Sequence, residues 1–128
     1  MATGKDIKVL VVDDSLVSRR FIKIYLKKIG ITNVLEASHV KMALEKLEKE
    51  KVDLILSDWM MPGIPGLDFL KSVRSNENLK NIPFIMITAE GLKESIKEAI
   101  SAGVSRYILK PYTFETFKEE IESIFRKE

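Results

Sequence analysis

Cysteine is absent from the 128 residues, which removes disulfides, thiol catalysis and cysteine metal sites together and is compatible with a reducing cytoplasm. Histidine occurs once; His39 lies in a polar stretch and reads as a solvated side chain rather than a ligand or a base. An excess of one charge is also missing. Twenty-one Lys and Arg against 19 Asp and Glu leave a net charge of +2, too little to argue for nucleic acid. No apolar run approaches the roughly 20 residues of a membrane span, and Met1-Ala2-Thr3-Gly4-Lys5-Asp6 lacks the apolar core of a signal peptide. No glycine-rich phosphate loop follows the first apolar run, which disfavours nucleotide binding. A soluble cytoplasmic protein with no membrane or nucleic-acid partner is the expectation.

Hydrophobic content of 45% and charged content of 31% are those of a globular chain, and the length fits one domain, residues 1–128. Five short apolar runs alternate with stretches of helical period. Strands are expected at about 7–12, 33–37, 52–57, 83–88 and 105–109. Between them apolar residues recur at three and four: Ile22, Tyr25, Leu26 and Ile29; Val40, Ala43, Leu44 and Leu47; Leu67, Leu70 and Val73; Ile96, Ala99 and Ile100; Phe114, Phe117, Ile121, Ile124 and Phe125. Gly30 is placed to terminate the first helix. The first, third and fourth strands are almost wholly apolar, as parallel strands covered on both faces are. The fold class is therefore α/β, a doubly wound (βα)5 domain, and ligands of such sheets bind beyond the carboxyl ends of the strands.

The residues at those ends are Asp13 and Asp14, Asp58, Thr88, and Lys110. Three carboxylates at one sheet edge repel each other unless a cation and an anionic ligand complete the site, so the set reads as one that handles phosphate with a divalent metal. A carboxylate is a competent nucleophile toward phosphorus. Magnesium would neutralise the approach of an anionic group, Lys110 would hold a phosphoryl oxygen as a point charge, and the Thr88 hydroxyl would donate to another. Each residue alone has a plainer role: Asp14 or Ser15 as a helix N-cap, Asp58 as a loop opener before Pro62-Gly63, Thr88 as a cap, Lys110 as a surface lysine. Their joint placement at four strand ends favours the site. Arg19, Arg20, Lys23, Lys27 and Lys28 make the first helix basic on its outer side, a solvent-facing stripe that would also suit an acidic partner near the site.

Val11-Val12-Asp13-Asp14-Ser15, Leu56-Ser57-Asp58-Trp59-Met60-Met61-Pro62-Gly63, Ile87-Thr88-Ala89-Glu90 and Leu109-Lys110-Pro111-Tyr112 resemble, in order and spacing, the four signature stretches of the receiver domains of two-component response regulators. Ser57-Asp58-Trp59 and Thr88-Ala89-Glu90 are most similar to its stand-alone chemotaxis members. The resemblance implies a flavodoxin-like fold with strand order 2-1-3-4-5. It implies that Asp58 accepts a phosphoryl group from a histidine kinase or phosphotransfer domain. Asp14, Asp58 and the Met60 backbone carbonyl would hold Mg2+ directly and Asp13 mostly through water. Thr88 and Lys110 would contact the phosphoryl group, Tyr107 would change rotamer as the switch, and Lys110-Pro111 would be cis. Pro65-Gly66 and Ser38-His39-Val40 depart from the commoner pattern, in loops only.

The function this implies is a phosphorylation-controlled signalling switch and not a metabolic enzyme, with intrinsic autophosphatase activity. The phosphorylated monomer would bind a target, such as a flagellar motor switch protein, through the fourth helix, fifth strand and fifth helix. A separate phosphatase would be a further partner. Two alternatives share the resemblance: a receiver belonging to a larger DNA-binding regulator, left open where Arg126-Lys127-Glu128 ends the sequence, and a phosphorelay intermediate. A third, a magnesium-dependent phosphatase with Asp58 as nucleophile, usually needs a second Asp two residues on, where this chain has Met60.

Overall fold

The alternation is realised as β1 (Lys8–Val12), α1 (Leu16–Lys28), β2 (Asn33–Ala37), α2 (Val40–Lys49), β3 (Leu54–Ser57), α3 (Gly66–Ser75), β4 (Phe84–Thr88), α4 (Lys93–Ser101), β5 (Arg106–Leu109) and α5 (Phe114–Phe125). The structure is a computed structural model that describes residues 6–126; residues 1–5 and 127–128 of the expected 1–128 domain lie outside the described residues. All strand pairs are parallel and the order is β2-β1-β3-β4-β5, as the family resemblance implied.

The sheet separates two apolar layers because successive side chains of a strand face opposite ways. Leu10 and Val12 join α2 and α3 through Val40, Ala43, Leu47, Leu67, Leu70 and Val73. Val9 and Val11 join α1 and α5 through Ile22, Leu26, Phe117 and Ile121. The central strands β1, β3 and β4 are buried over nearly their whole length, whereas edge strands β2 and β5 are only partly covered. Gly30 ends α1 with φ +91°, and Ile31 N–H returns to the Leu26 carbonyl at 2.9 Å.

Several expectations are corrected in detail. Four strands begin one or two residues later than the apolar runs, and at three of them the residue before the strand carries a bond to the neighbouring strand. The Asp53 carboxylate accepts from Lys8 N–H at 2.9 Å. Pro83 has no N–H to give the ladder but its carbonyl accepts from Ile55 at 2.9 Å. Ser105 Oγ accepts from Phe84 N–H at 3.0 Å. In α4 only Ala99 is buried; Ile100, one position round the helix, is 62% exposed rather than part of the core. His39 is exposed as expected but is not merely solvated. It is the N-cap of α2, its Nδ1 accepting from Met42 N–H at 3.2 Å. Arg19 leaves the expected solvent-facing stripe and is half-buried, while Lys23 remains exposed; both pair with Glu36 of β2, at 2.9 and 3.0 Å.

Gly66 fixes where β3 hands over to α3. A Cβ there would overlap the Asp58 carbonyl oxygen and lie 2.8 Å from Trp59 Cα, while Gly66 N–H donates to the Trp59 carbonyl at 2.8 Å. Glycine to alanine in a helix ordinarily gains up to about 1 kcal/mol. Here backbone overlap outweighs that gain, so Gly66→Ala is expected to lower unfolding stability by about 1–3 kcal/mol. Urea denaturation measures it, and an unchanged or raised midpoint would contradict the close approach.

Candidate functional site

Register brings the acids together. Val12 lies beside Ser57 in the β1–β3 ladder, so the next residues, Asp13 and Asp58, leave neighbouring strands at the same level. Thr88 pairs with Leu109 across β4 and β5, which places Lys110 just past it, its N–H donating to the Thr88 carbonyl at 2.9 Å. The Lys110 side chain turns back over the sheet edge. Its Nζ lies 2.9 Å from Asp13 Oδ2 and 3.0 Å from Asp58 Oδ2. Lys110-Pro111 is cis, as expected.

Each acid is held differently. Asp13 is buried: Oδ1 accepts from Ser15 N–H at 2.9 Å, and Oδ2 accepts from Ser18 Oγ–H at 2.7 Å as well as from Lys110. Its carbonyl accepts from Arg19 Nη1 at 2.6 Å. Asp58 is almost buried and has Trp59 N–H and Met60 N–H on Oδ1, at 2.6 and 3.2 Å, leaving Oδ2 to Lys110. Asp14 is exposed. One carboxylate oxygen from each of the three lies within 4.8 Å of the others, a spacing suited to a hard divalent cation.

Burial would depress the Lys110 ammonium, but hydrogen bonds and attraction from Asp13 and Asp58 outweigh it and hold its pKa above 10.5. Tyr107 is pushed up to about 12, first by burial and then by Glu90 and Asp58. Its phenol therefore remains a donor, 2.6 Å from the Glu90 carbonyl. Thr88 is fully buried and its Oγ1 accepts from Glu90 N–H at 3.2 Å, so Thr88, Glu90 and Tyr107 form one bonded run leading away from the acids.

The structure thus brings Asp13, Asp14, Asp58 and Lys110 into direct association and sets Thr88 beside Lys110 through the backbone. Met60 reaches the site through its N–H, and its side chain is 63% exposed. Tyr107 stands one step off, behind Glu90. Sequence reasoning missed Ser18 and the inward role of Arg19. The pattern Ser15-x-x-Ser18 at a helix start was the available signal for the first, since Ser15 Oγ caps Ser18 N–H at 3.1 Å and turns the Ser18 hydroxyl toward Asp13. Arg19 gave none, because Glu36 meets it only after β2 pairs with β1. A cleft of about 390 Å³ opens from Asp14, Asp58 and Lys110 along α1. Among the described residues no helix is long and apolar enough to cross a membrane.

Comparison with known proteins places this geometry in context. The response regulator receiver domain family matches residues 9–122. Chemotaxis protein CheY-3 of Vibrio cholerae is 45% identical over 124 residues, covering 97% of this chain and 95% of the relative. The solved structure of chemotaxis protein CheY4 of Vibrio cholerae aligns with a TM-score of 0.86 at 32% identity, over 96% of this chain and 99% of that one. A receiver domain of a sensor histidine kinase from Pseudomonas aeruginosa, with magnesium coordinated in its active site cleft, aligns with a TM-score of 0.82 at 25% identity over 91% and 95%.

Lys110, Tyr107 and Tyr112, the last raised by burial and by Tyr25 and Asp13, set the alkaline limit. Lys110 and Tyr107 keep in the folded state protons that the unfolded chain releases near 10.5 and 10.0. Their stabilisation is complete below those values and is lost as pH rises through the higher folded ones. The urea midpoint is expected to fall steadily between pH 10 and about 12, less steeply in Tyr107→Phe, in which the absorbance step near 12 shrinks to the share of Tyr112. A level midpoint across that interval would refute the assignment.

Proposed function

Because the chain belongs to the response regulator receiver domain family, we propose that it is a phosphorylation-controlled signalling switch with Asp58 as phosphoacceptor. The observation that carries this reading is the shared Lys110 ammonium, 2.9 Å from Asp13 and 3.0 Å from Asp58 beside an exposed Asp14. It marks a place where one carboxylate can meet an anionic group under a fixed positive charge. Asp58 suits the nucleophile better than its neighbours. Its Oδ2 accepts from Lys110 alone among the described residues, whereas Asp13 Oδ2 is held by the Ser18 hydroxyl as well as Lys110 and its Oδ1 by Ser15, and Asp14 is exposed.

The donor is a phosphohistidine of a histidine kinase or phosphotransfer domain. An Asp58 carboxylate oxygen attacks phosphorus, the bond to the leaving nitrogen breaks, and an acyl phosphate remains on Asp58. Lys110 releases a carboxylate to bind a phosphoryl oxygen, and the Thr88 hydroxyl hydrogen serves a second while its oxygen still accepts from Glu90. Oxygen donors at the spacing of Asp13, Asp14 and Asp58 fit Mg2+; on the family pattern Asp14, Asp58 and the Met60 carbonyl would hold it, with Asp13 acting through water. When bound, the ion supplies charge neutralisation for the incoming phosphoryl group.

Readout follows the run Thr88, Glu90, Tyr107. A pull on Thr88 disturbs the Glu90 turn and with it the carbonyl that receives the Tyr107 hydroxyl, biasing a two-state surface on α4, β5 and α5. That surface carries exposed Leu92, Ile100 and Leu109, apolar groups that suit a protein target. The likeness to chemotaxis proteins makes a flagellar motor switch protein the target of choice and the cytoplasm the location. The monomer returns to rest by hydrolysing its own acyl phosphate, aided by a partner phosphatase.

Trp59 reports the reaction, since its N–H is bonded to Asp58 Oδ1. With Mg2+ and phosphoramidate or beryllium fluoride, its fluorescence is expected to change in the wild type and to stay flat in Asp58→Asn; equal responses would falsify the acyl-phosphate reading. Met60 presents no polar group to place the hydrolytic water. Met60→Asn is accordingly expected to speed dephosphorylation, followed as fluorescence recovery after the donor is removed, and an unchanged rate counts against that role. Capture of a motor switch protein by the beryllium fluoride form, and not by the resting form, tests the target.

A further inference from the structure

The cleft at Asp58 has two ends of unlike chemistry. One is polar, with Asp13, Asp14, Asp58 and Lys110. The other is walled by Val17, Phe21, Tyr25 and Tyr112, and none of the phosphotransfer roles uses it. Val17 and Phe21 are one helical turn apart on α1 and remain 63% and 55% exposed, apolar side chains left facing the cleft. Behind them the wall is fixed. Tyr25 meets Tyr112 edge-on at 6.0 Å and Phe114 edge-on at 5.2 Å, lies tilted to Phe117 at 5.6 Å, and Tyr112 stacks on Phe117 at 5.8 Å.

We propose that this apolar end is a subsite for the leaving group of the phosphoryl donor, selecting a planar nitrogen heterocycle, the ring of a phosphoimidazole. The inference rests on Asp58 being the phosphoacceptor. A donor whose phosphoryl group lies between Asp58 and Lys110 has to send its leaving group out along the cleft. Ammonia or acetate gains nothing from aromatic walls, whereas a flat ring buries surface against Phe21 and Val17 and meets aromatic edges. The volume, about 390 Å³, accommodates a phosphoryl group and a five-membered ring. In the step itself the Asp58 oxygen forms a bond to phosphorus as the P–N bond breaks. The electron pair passes to the ring nitrogen, and the ring, already protonated on its other nitrogen, departs as neutral imidazole. The same ring chemistry is offered by a small phosphoimidazole and by a phosphohistidine side chain.

The test measures phosphorylation of the full chain with Mg2+ by Trp59 fluorescence, using monophosphoimidazole and phosphoramidate. The ratio of the two rate constants is expected to fall about three- to tenfold in Phe21→Ser and Val17→Ser, the size of a lost ring contact. Phe21→Tyr should restore it. Ile24→Ser, on the exposed side of α1 but outside the cleft, should keep the wild-type ratio. An unchanged ratio in Phe21→Ser, or an equal fall in Ile24→Ser, overturns the subsite. So does a Phe21→Ser defect seen only with a phosphohistidine-bearing protein and not with monophosphoimidazole, which would assign this face to protein docking. A wild-type response to phosphoramidate separates these outcomes from failure of the phosphoacceptor reading, in which neither donor gives a signal.

Discussion

Lys110 ties the carboxyl ends of three strands together by charge. Asp13 ends β1 and Asp58 ends β3, while the lysine itself follows β5, two strands from β3 and three from β1. Strands lie about 4.8 Å apart, so the distance to be covered is on the order of 10 Å or more. A long, flexible stem with a compact charge spans it, and a short basic group would not. Arg19 reaches only the Asp13 carbonyl, and with no other cation paired to the Asp13 or Asp58 carboxylate among the described residues the ammonium is what lets buried acids sit side by side in the resting protein. The arrangement also means that a ligand has to compete with, or exploit, a charge already in place.

The rest of the fold can be understood as holding those strand ends still. β1, β3 and β4 are covered on both faces, so their backbones have no freedom to slide, and a slip of one residue would send every apolar side chain to the wrong layer. Rigidity continues past the strands. Asp13 is pinned by the first turn of α1, Asp58 by two backbone N–H groups of its own loop, and that loop by the close approach of Gly66. Asp14 is left outside this bracing, the one acid of the three that is exposed. Two fixed acids and one exposed acid suit a site that must take in an ion and a substrate in turn.

How much of this was legible in the sequence depends on the range of each interaction. Asp13, Asp58 and Lys110 stood out because a charge ending an apolar run is visible locally, and parallel strands then carry such ends to one edge. Strand order, the direct magnesium ligands and the switch part of Tyr107 came instead from the family resemblance. Arg19 was hidden because its partner Glu36 belongs to another strand, so a helical stripe of basic residues looked solvated until β1 and β2 were paired in register. His39 was hidden for a different reason: an imidazole is an unusual N-cap, and only the position of Met42 N–H shows that its Nδ1 is occupied. Ile100 misled because helical period marks an apolar stripe without saying how much of it the neighbouring layer covers.

The bonded run from Thr88 to Tyr107 bears on how a local charge can have a distant effect. Thr88 is buried and Leu109 is 45% exposed, yet they are partners in the same ladder, so the route from site to surface is one strand wide. The Tyr107 hydroxyl meets a backbone carbonyl and not a charged group, a bond of the kind worth only about 1 kcal/mol net. Its burial works the other way, favouring the neutral phenol but not fixing where the ring rests. In the proposed readout a contact of that size would leave two arrangements close in free energy, as a switch requires, because a ligand shifts an equilibrium only by its differential affinity for the two states. In the proposed readout, a charged partner in place of the Glu90 carbonyl would hold Tyr107 too firmly for a phosphoryl group on Asp58 to move it.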